Sequence, residues 1–374
     1  MKVCIVGHSA SGFGEGATGG SEGQSALLAR RLAARGHTVA YVVVGLRGGE
    51  RDVDGVRIRS GWDADAGTRY LRALSRYPHL LRVLRAEAAD VYYSRGAGYY
   101  TPMVVRAARD VGAVSVLGIA SDRDLYADAG KVLFAVPSAR VSAVIGPVAH
   151  AVYRRAGLHA ADWVAVQNQE QVAACRRLGL RAAVLPNIVE PPPAGLLAAA
   201  PGRDALWAGN VGDNRRSKGL AELEGLVRLL PRVGFTVAGG FRGETGRAAA
   251  QELGRLPNVT LTGGLSRHET MRLMSEHRLI INTSPSEGFS NVMLEGWSLG
   301  KPAVTLSVNP SSLLTHDRLG ICARGDLTAM AAAVAALLAE DDARTAMGAR
   351  CRDYVAGSHG PEQVCDGFEA LVAR

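Results

Sequence analysis

Short apolar runs alternate with helix-period segments along almost the whole chain, and the alternation breaks once, at Asn187-Ile188-Val189-Glu190-Pro191-Pro192-Pro193. Runs such as Val3 to Val6, Val39 to Val44, Val91 to Tyr93 and Val114 to Leu117 have little or no polar face. They read as strands covered on both sides, the environment of a parallel sheet with helices on each face. Three consecutive prolines cannot continue a helix or a central strand, so they mark a boundary. A second series follows: Ala205 to Ala208, Phe235 to Ala238, Val259 to Leu261, Leu279 to Asn282 and Ala303 to Thr305. The expectation is an α/β protein with two doubly wound, Rossmann-like domains facing one cleft. The first domain spans 1–190, a linker 191–204, the second domain 205–358 and a terminal helix 359–374. Ligands of such sheets gather beyond the carboxyl ends of the strands.

At 374 residues, 47% hydrophobic and 21% charged, the chain can build two cores and is not disordered. No apolar run approaches the roughly 18 residues of a membrane helix. Met1 to Gly7 lacks a signal peptide's apolar core and cleavage site, so the expected location is cytoplasmic. Cys4, Cys175, Cys322, Cys351 and Cys365 show neither Cys-x-x-Cys spacing nor a neighbouring His at ligand distance, and read as reduced thiols. The net charge of +8 is uneven: residues 1–190 hold 24 Lys or Arg against 16 Asp or Glu, and residues 191–374 hold 19 of each. Such a half suits an anionic acceptor, a lipid surface or nucleic acid. Arg69, Arg72, Arg76, Arg82 and Arg85 interleave with leucines as an amphipathic basic helix interrupted by Pro78. That pattern is first an ordinary solvated face, and second a surface for peripheral contact with the inner face of an anionic membrane. Aromatic content of 5% argues against nucleic acid as a partner.

The densest chemistry lies in Ser284-Pro285-Ser286-Glu287-Gly288-Phe289-Ser290-Asn291-Val292-Met293-Leu294-Glu295. The strand Arg278 to Thr283 precedes it and a helix from Val292 to Leu299 follows, so Glu287 belongs to a tight loop and Glu295 about two turns into the helix. Amides of Gly288, Phe289, Ser290, Asn291 and Val292 would form a helix N-terminus that attracts a phosphate. Each carboxylate can accept hydrogen bonds from vicinal hydroxyls. Two polyols joined by a diphosphate describe a nucleotide sugar.

These residues, continued through Gly296-Trp297 to Gly300-Lys301-Pro302-Ala303-Val304, closely resemble the Glu-(x7)-Glu signature of retaining glycosyltransferases of family 4, which have the GT-B fold. The resemblance is to members that build bacterial polysaccharides and glycoconjugates. It implies that Glu287 lies near the donor sugar and Glu295 binds the nucleotide ribose. It further implies front-face substitution with no enzymic nucleophile, a UDP- or GDP-sugar as co-substrate, no metal and no other cofactor, and a C-terminal helix crossing back to the first domain.

Two more loops fit this frame. Gly14-x-Gly16-x-x-Gly19 matches a dinucleotide fingerprint but starts seven residues beyond the first strand's end, so it is a decoy. Gly19-Gly20-Ser21-Glu22 resembles the family's Gly-Gly-x-Glu turn, which faces the donor diphosphate and the acceptor. After the strand Ala205 to Ala208, Arg215, Arg216 and Lys218 precede a helix and can stabilise charge growing on a diphosphate. Lys218-Gly219 matches the family's Lys. Asp213 and Asn210 depart from its pattern there, so either Arg215 or Arg216 would supply the second cation.

On the acceptor side stand Glu22, Arg95, Asp122 and Asp124, after strands of the first domain, and His8 follows the first strand. Asp-x-Asp occurs at Asp52, Asp63 and Asp122, too often to signal a metal. The function expected is a retaining glycosyltransferase acting on a nucleotide sugar and a hydroxyl acceptor. The alternatives are a nucleotide-sugar 2-epimerase on the same fold and an inactive nucleotide-sugar-binding protein.

Overall fold

The structure, a computed structural model, describes residues 1–14, 20–44, 50–62, 72–98, 100–125, 152, 154–198, 201–212 and 218–373. The described strands form two sheets. The first comprises β1 (Lys2–Gly7), β2 (Thr38–Val43), β3 (Arg51–Val53), β4 (Val56–Ser60), β5 (Val91–Arg95), β6 (Val114–Gly118), β7 (Trp163–Val166) and β8 (Ala182–Val184). Their order is β3-β4-β2-β1-β5-β6-β7-β8, parallel except for the β3–β4 hairpin. The second comprises β9 (Arg203–Ala208), β10 (Phe235–Ala238), β11 (Val259–Gly263), β12 (His277–Asn282), β13 (Ala303–Thr305) and β14 (Gly320–Cys322), ordered β11-β10-β9-β12-β13-β14 and all parallel. In each sheet the strand order reverses beside the first strand of the series, which leaves a crevice above its carboxyl end.

The chain divides into two compact units. One holds the described residues up to Ile188 together with the segment from Val364, and the other runs from Val189 to Gln363. In the first, Val3, Ile5, Tyr41, Val43 and Tyr93 are buried with Val364, Phe368 and Leu371 of the last helix, Pro361–Val372. His37 Nε2 lies 2.8 Å from Glu369 Oε1, and Arg35 pairs with Asp366 and Glu369. Buried Gln24 exchanges two hydrogen bonds with Ile188, of 3.0 and 2.7 Å, and so fastens the end of this unit's main segment to its first helix.

The division between the units falls after Ile188, inside the expected 187–193 break, and a helical turn, Ala194–Leu197, and the first residues of β9 follow it. Three sequence expectations need correction. Pro78 does not interrupt its helix: Arg72–Glu87 is continuous, with Leu80 and Leu84 fully buried, and that burial outweighs one lost backbone bond. Its described arginines are partly engaged, Arg85 with Asp110 and Arg76 over the Trp62 ring. The helix carrying Glu295 starts at Asn291, capped by Ser290, so Glu295 lies little more than one turn in. Finally, β3 was absent from the expected strands, although Asp54-Gly55, both at positive φ (53° and 76°), is a hairpin turn signal; Asp52 and Asp54 serve that hairpin. Gly14 belongs to the turn after Ser11–Phe13; Gly16, Gly19, Asp63, Arg69, Asp213, Arg215 and Arg216 lie outside the described residues.

Candidate functional site

In the second unit the loop after β9 meets the loop after β12. Gly219 caps the helix Leu220–Leu229 at φ 64°, and a Cβ there would sit 1.9 Å from the carbonyl oxygen of Thr283. Only glycine permits both the left-handed backbone and that approach. Thr283 Oγ1 donates to the Lys218 carbonyl over 3.0 Å and accepts from Trp207 Nε1 over 3.1 Å, which locks Lys218 against the end of β12. Lys218 Nζ then reaches Glu287 Oε1 at 2.7 Å. The Ser284 hydroxyl donates to the same oxygen, also at 2.7 Å, and the Ser290 hydroxyl contributes a further bond. Burial alone would raise the Glu287 carboxyl. The Lys218 charge and these hydrogen bonds prevail, and hold it below the ordinary carboxylate value.

Glu295 is governed by the opposite balance. Arg267 donates to it at 2.9 Å, yet burial dominates and raises its carboxyl. Arg267 opens the helix Arg267–Ser275 just after Ser266, whose reciprocal bonds with Glu269 form a capping box. That Ser-x-x-Glu was readable as a helix start, but nothing local linked Arg267 to Glu295. Phe289 is buried edge-on against Trp297 and His359, so its side chain anchors the loop in the core. Gly288 precedes it, Asn291 opens the helix two positions later, and Val292 packs partly on the same core. Asn210 accepts from the Gly240 amide at 3.0 Å, tying the loops after β9 and β10 together.

The first unit contains a separate cavity, of about 290 Å3, beyond the carboxyl ends of β1 and β5. Glu22 and Arg95 both line it, as do His8, Ser21, Ser25 and Tyr41. Asp122 and Asp124 are not among its lining residues; they brace its walls. Asp124 accepts from the amides of Ala120 at 2.8 Å, Ser121 at 3.1 Å and Ala97, and Ala97 belongs to the cavity rim. Burial nonetheless raises the Asp124 carboxyl. Asp122 accepts from Gln171 Nε2 at 2.8 Å; Gln171 Oε1 accepts from the Gln167 amide; and Gln167 Nε2 and Arg95 Nη2 share Asn187 Oδ1 at 3.0 and 2.6 Å. Sequence reasoning missed this chain of amides because its members are scattered from strand end to strand end. Among the described residues, no helix is long and apolar enough to cross a membrane.

Two family models match the chain: "Glycosyl transferase 4-like domain" over residues 19–187 and "Glycosyl transferases group 1" over residues 202–340. Together they cover well over half of it. The lipopolysaccharide core biosynthesis glycosyltransferase LpsE of Rhizobium meliloti (strain 1021) is 26% identical over 173 residues, which are 46% of this chain and 50% of that protein. The chain therefore spans about half the length of this curated relative. Among solved structures, sucrose-phosphate synthase from Thermosynechococcus elongatus superposes with a TM-score of 0.75 at 17% identity, covering 99% of this chain and 98% of its own. WaaG, a glycosyltransferase involved in lipopolysaccharide biosynthesis, gives a TM-score of 0.68 at 17% identity and covers 99% of both chains. At these identities the structural likeness speaks to the fold alone.

Proposed function

The chain belongs to the group 1 glycosyltransferases, with a 4-like first domain, and we propose that within them it is a retaining enzyme that moves a hexose-type sugar from a nucleoside diphosphate to a hydroxyl acceptor without a metal ion. The observation that carries this reading is the Lys218–Glu287 pair, at 2.7 Å. A diphosphate oxygen that replaces Glu287 on Lys218 frees the carboxylate to accept sugar hydroxyls. One exchange of partners then grips the leaving group and the ring together. Glu295 does the same at the nucleoside end by exchanging Arg267 for ribose hydroxyls. In the chemical step the anomeric bond to the β-phosphate oxygen breaks as the acceptor oxygen bonds on the same face, and the acceptor's proton leaves with the departing phosphate. Lys218 opposes the negative charge that grows there, with Arg215 or Arg216 as second cation and the amides from Gly288 to Val292 as further diphosphate contacts.

Because LpsE and WaaG are both named for lipopolysaccharide synthesis, a surface-glycan acceptor is the favoured class, with the enzyme in the cytoplasm or at the inner face of the membrane. Incubation with a panel of UDP- and GDP-sugars and extracts of lipid-linked glycans in EDTA tests the reading. Release of nucleoside diphosphate with retained anomeric configuration is expected. Inverted product, or activity abolished by EDTA, would refute it, and conversion of donor with no acceptor and no diphosphate release would make the protein an epimerase.

A further inference from the structure

In the second unit Lys301 is a buried cation that no neighbouring acid answers. It lies on the turn between the helix Asn291–Ser298 and β13, only 7% exposed, and among the described residues its ammonium has neither an ion pair nor a hydrogen bond. Burial, and after it the charges of Arg344 and Arg352 on the helix Asp341–Ser358, push the ammonium down to about 8, and no carboxylate acts in the other direction. The packing enforces this crowding. Gly300, at φ 71°, has no room for a Cβ because the Arg352 guanidinium lies against it, and Gly348 has none because the Gly300 carbonyl does. The two glycines seat the helix on the turn and set its arginines beside Lys301. Arg344 is satisfied internally, by Asp341 at 2.5 Å and the Leu337 carbonyl at 2.8 Å. Arg352 is exposed and, like Lys301, makes no ion pair or hydrogen bond among the described residues. Capping of the preceding helix does not account for Lys301, because the amides of Gly300 and Lys301 already close that helix onto the Trp297 and Gly296 carbonyls, at 2.9 Å each. Nor is the ammonium sealed. The fully buried side-chain nitrogens without a partner belong to Arg57, Arg76, Arg95, Arg154 and Trp297, so Lys301 Nζ keeps surface through which an ion can reach it.

A buried charge is costly unless paired, and an ammonium beside a guanidinium suits a tetrahedral oxyanion that accepts a charge-assisted bond from each. With so little of Lys301 open, a terminal phosphate group fits better than a phosphodiester, whose charged oxygens are flanked on two sides. The turn stands at the amino end of β13, whereas the donor loops follow the carboxyl ends of the parallel strands β9 and β12. We propose that Lys301 and Arg352 form a second anion site, distinct from the donor loops, that takes a terminal phosphate group, either free inorganic phosphate or the phosphate of a small monoester. The site does not depend on sugar transfer. Isothermal titration of the full chain in saturating UDP against inorganic phosphate, glucose 6-phosphate and neutral glucose tests it. At least one phosphate ligand should bind with a Kd of about 1 mM or tighter, and the two phosphate arms decide between free ion and ester. Arg352→Gln, at an exposed position, and Lys301→Met should each weaken that binding about tenfold or more, while Lys218→Ala should keep it. Lys301 is one of four lysines in the chain, so NMR of 13C-labelled lysine localises the ligand: phosphate should shift the Lys301 signal and leave that of Lys218 in place. Binding of neither phosphate ligand, equal binding of glucose, or binding unchanged in Arg352→Gln overturns the proposal. Binding lost in Lys218→Ala but kept in Arg352→Gln would also overturn it, by placing the phosphate in the donor loops.

Discussion

The two units hold their charges differently. In the second, both acids of the Glu-(x7)-Glu stretch already grip a cation, Lys218 on Glu287 and Arg267 on Glu295. In the first, Glu22 and Arg95 line one cavity and neither has an ion-pair partner among the described residues. A charge with an internal partner stays at a fixed geometry in the empty protein, and a ligand must displace that partner. A charge without one waits for the ligand to complete it. The second unit thus holds its acids in pairs that a ligand would have to exchange, which is what the proposed nucleotide-sugar donor requires, and the first leaves Glu22 and Arg95 without an ion pair among the described residues.

The sharpest way to break this contrast is Lys218→Ala. If Lys218 carries the leaving diphosphate, kcat falls about 100- to 1000-fold in steady-state assays with KM little changed. Wild-type turnover would end the exchange picture. Next in size, Glu295→Ala should raise the Kd for UDP or GDP roughly tenfold by titration, whereas Arg267→Ala should lower it a few-fold, because ribose hydroxyls then meet no competitor for the carboxylate. A rise in both variants would make Arg267 part of the nucleotide site.

The smallest effects concern stability, and they have opposite signs. Glu287, with its folded pKa lowered, contributes stability that is present above the ordinary 4.5 and lost as pH falls through the folded value. Glu287→Gln should therefore lower Tm at neutral pH, by roughly 2–4 °C for about 1 kcal/mol, with the difference vanishing in acid. Glu295, with its folded pKa raised, burdens the fold above that raised value and is relieved as pH falls through it towards 4.5. Glu295→Gln should accordingly raise Tm at neutral pH by a similar amount, with the gain shrinking in acid. Differential scanning calorimetry across pH checks both, and Tm shifts of the same sign would mean that the two carboxylates are not held in contrasting ways.

Legibility in the sequence followed distance along the chain. The strand, loop and helix around Glu287 were readable because their signals are local: an apolar run, a Ser cap, and a spacing of eight. The family match assigned Glu287 and Lys218 separately to the donor, but their direct pairing, 69 positions apart, could be seen from neither loop. Arg267, on a different helix 28 positions before Glu295, had no such guide. Nor did Asn187, 92 positions from the Arg95 it holds. Asp122 and Asp124 were readable as polar residues after a strand, but their service as braces depends on which amides the tertiary fold brings to them.

By itself, the sequence determined that the chain would form two parallel α/β sheets, because apolar periodicity and the Pro191 to Pro193 break act through local backbone and burial preferences. Only the tertiary structure decided which charges are answered from within and which are left open, because ion pairs and cavities arise where distant loops converge at strand ends, and their energies depend on burial that no local pattern encodes.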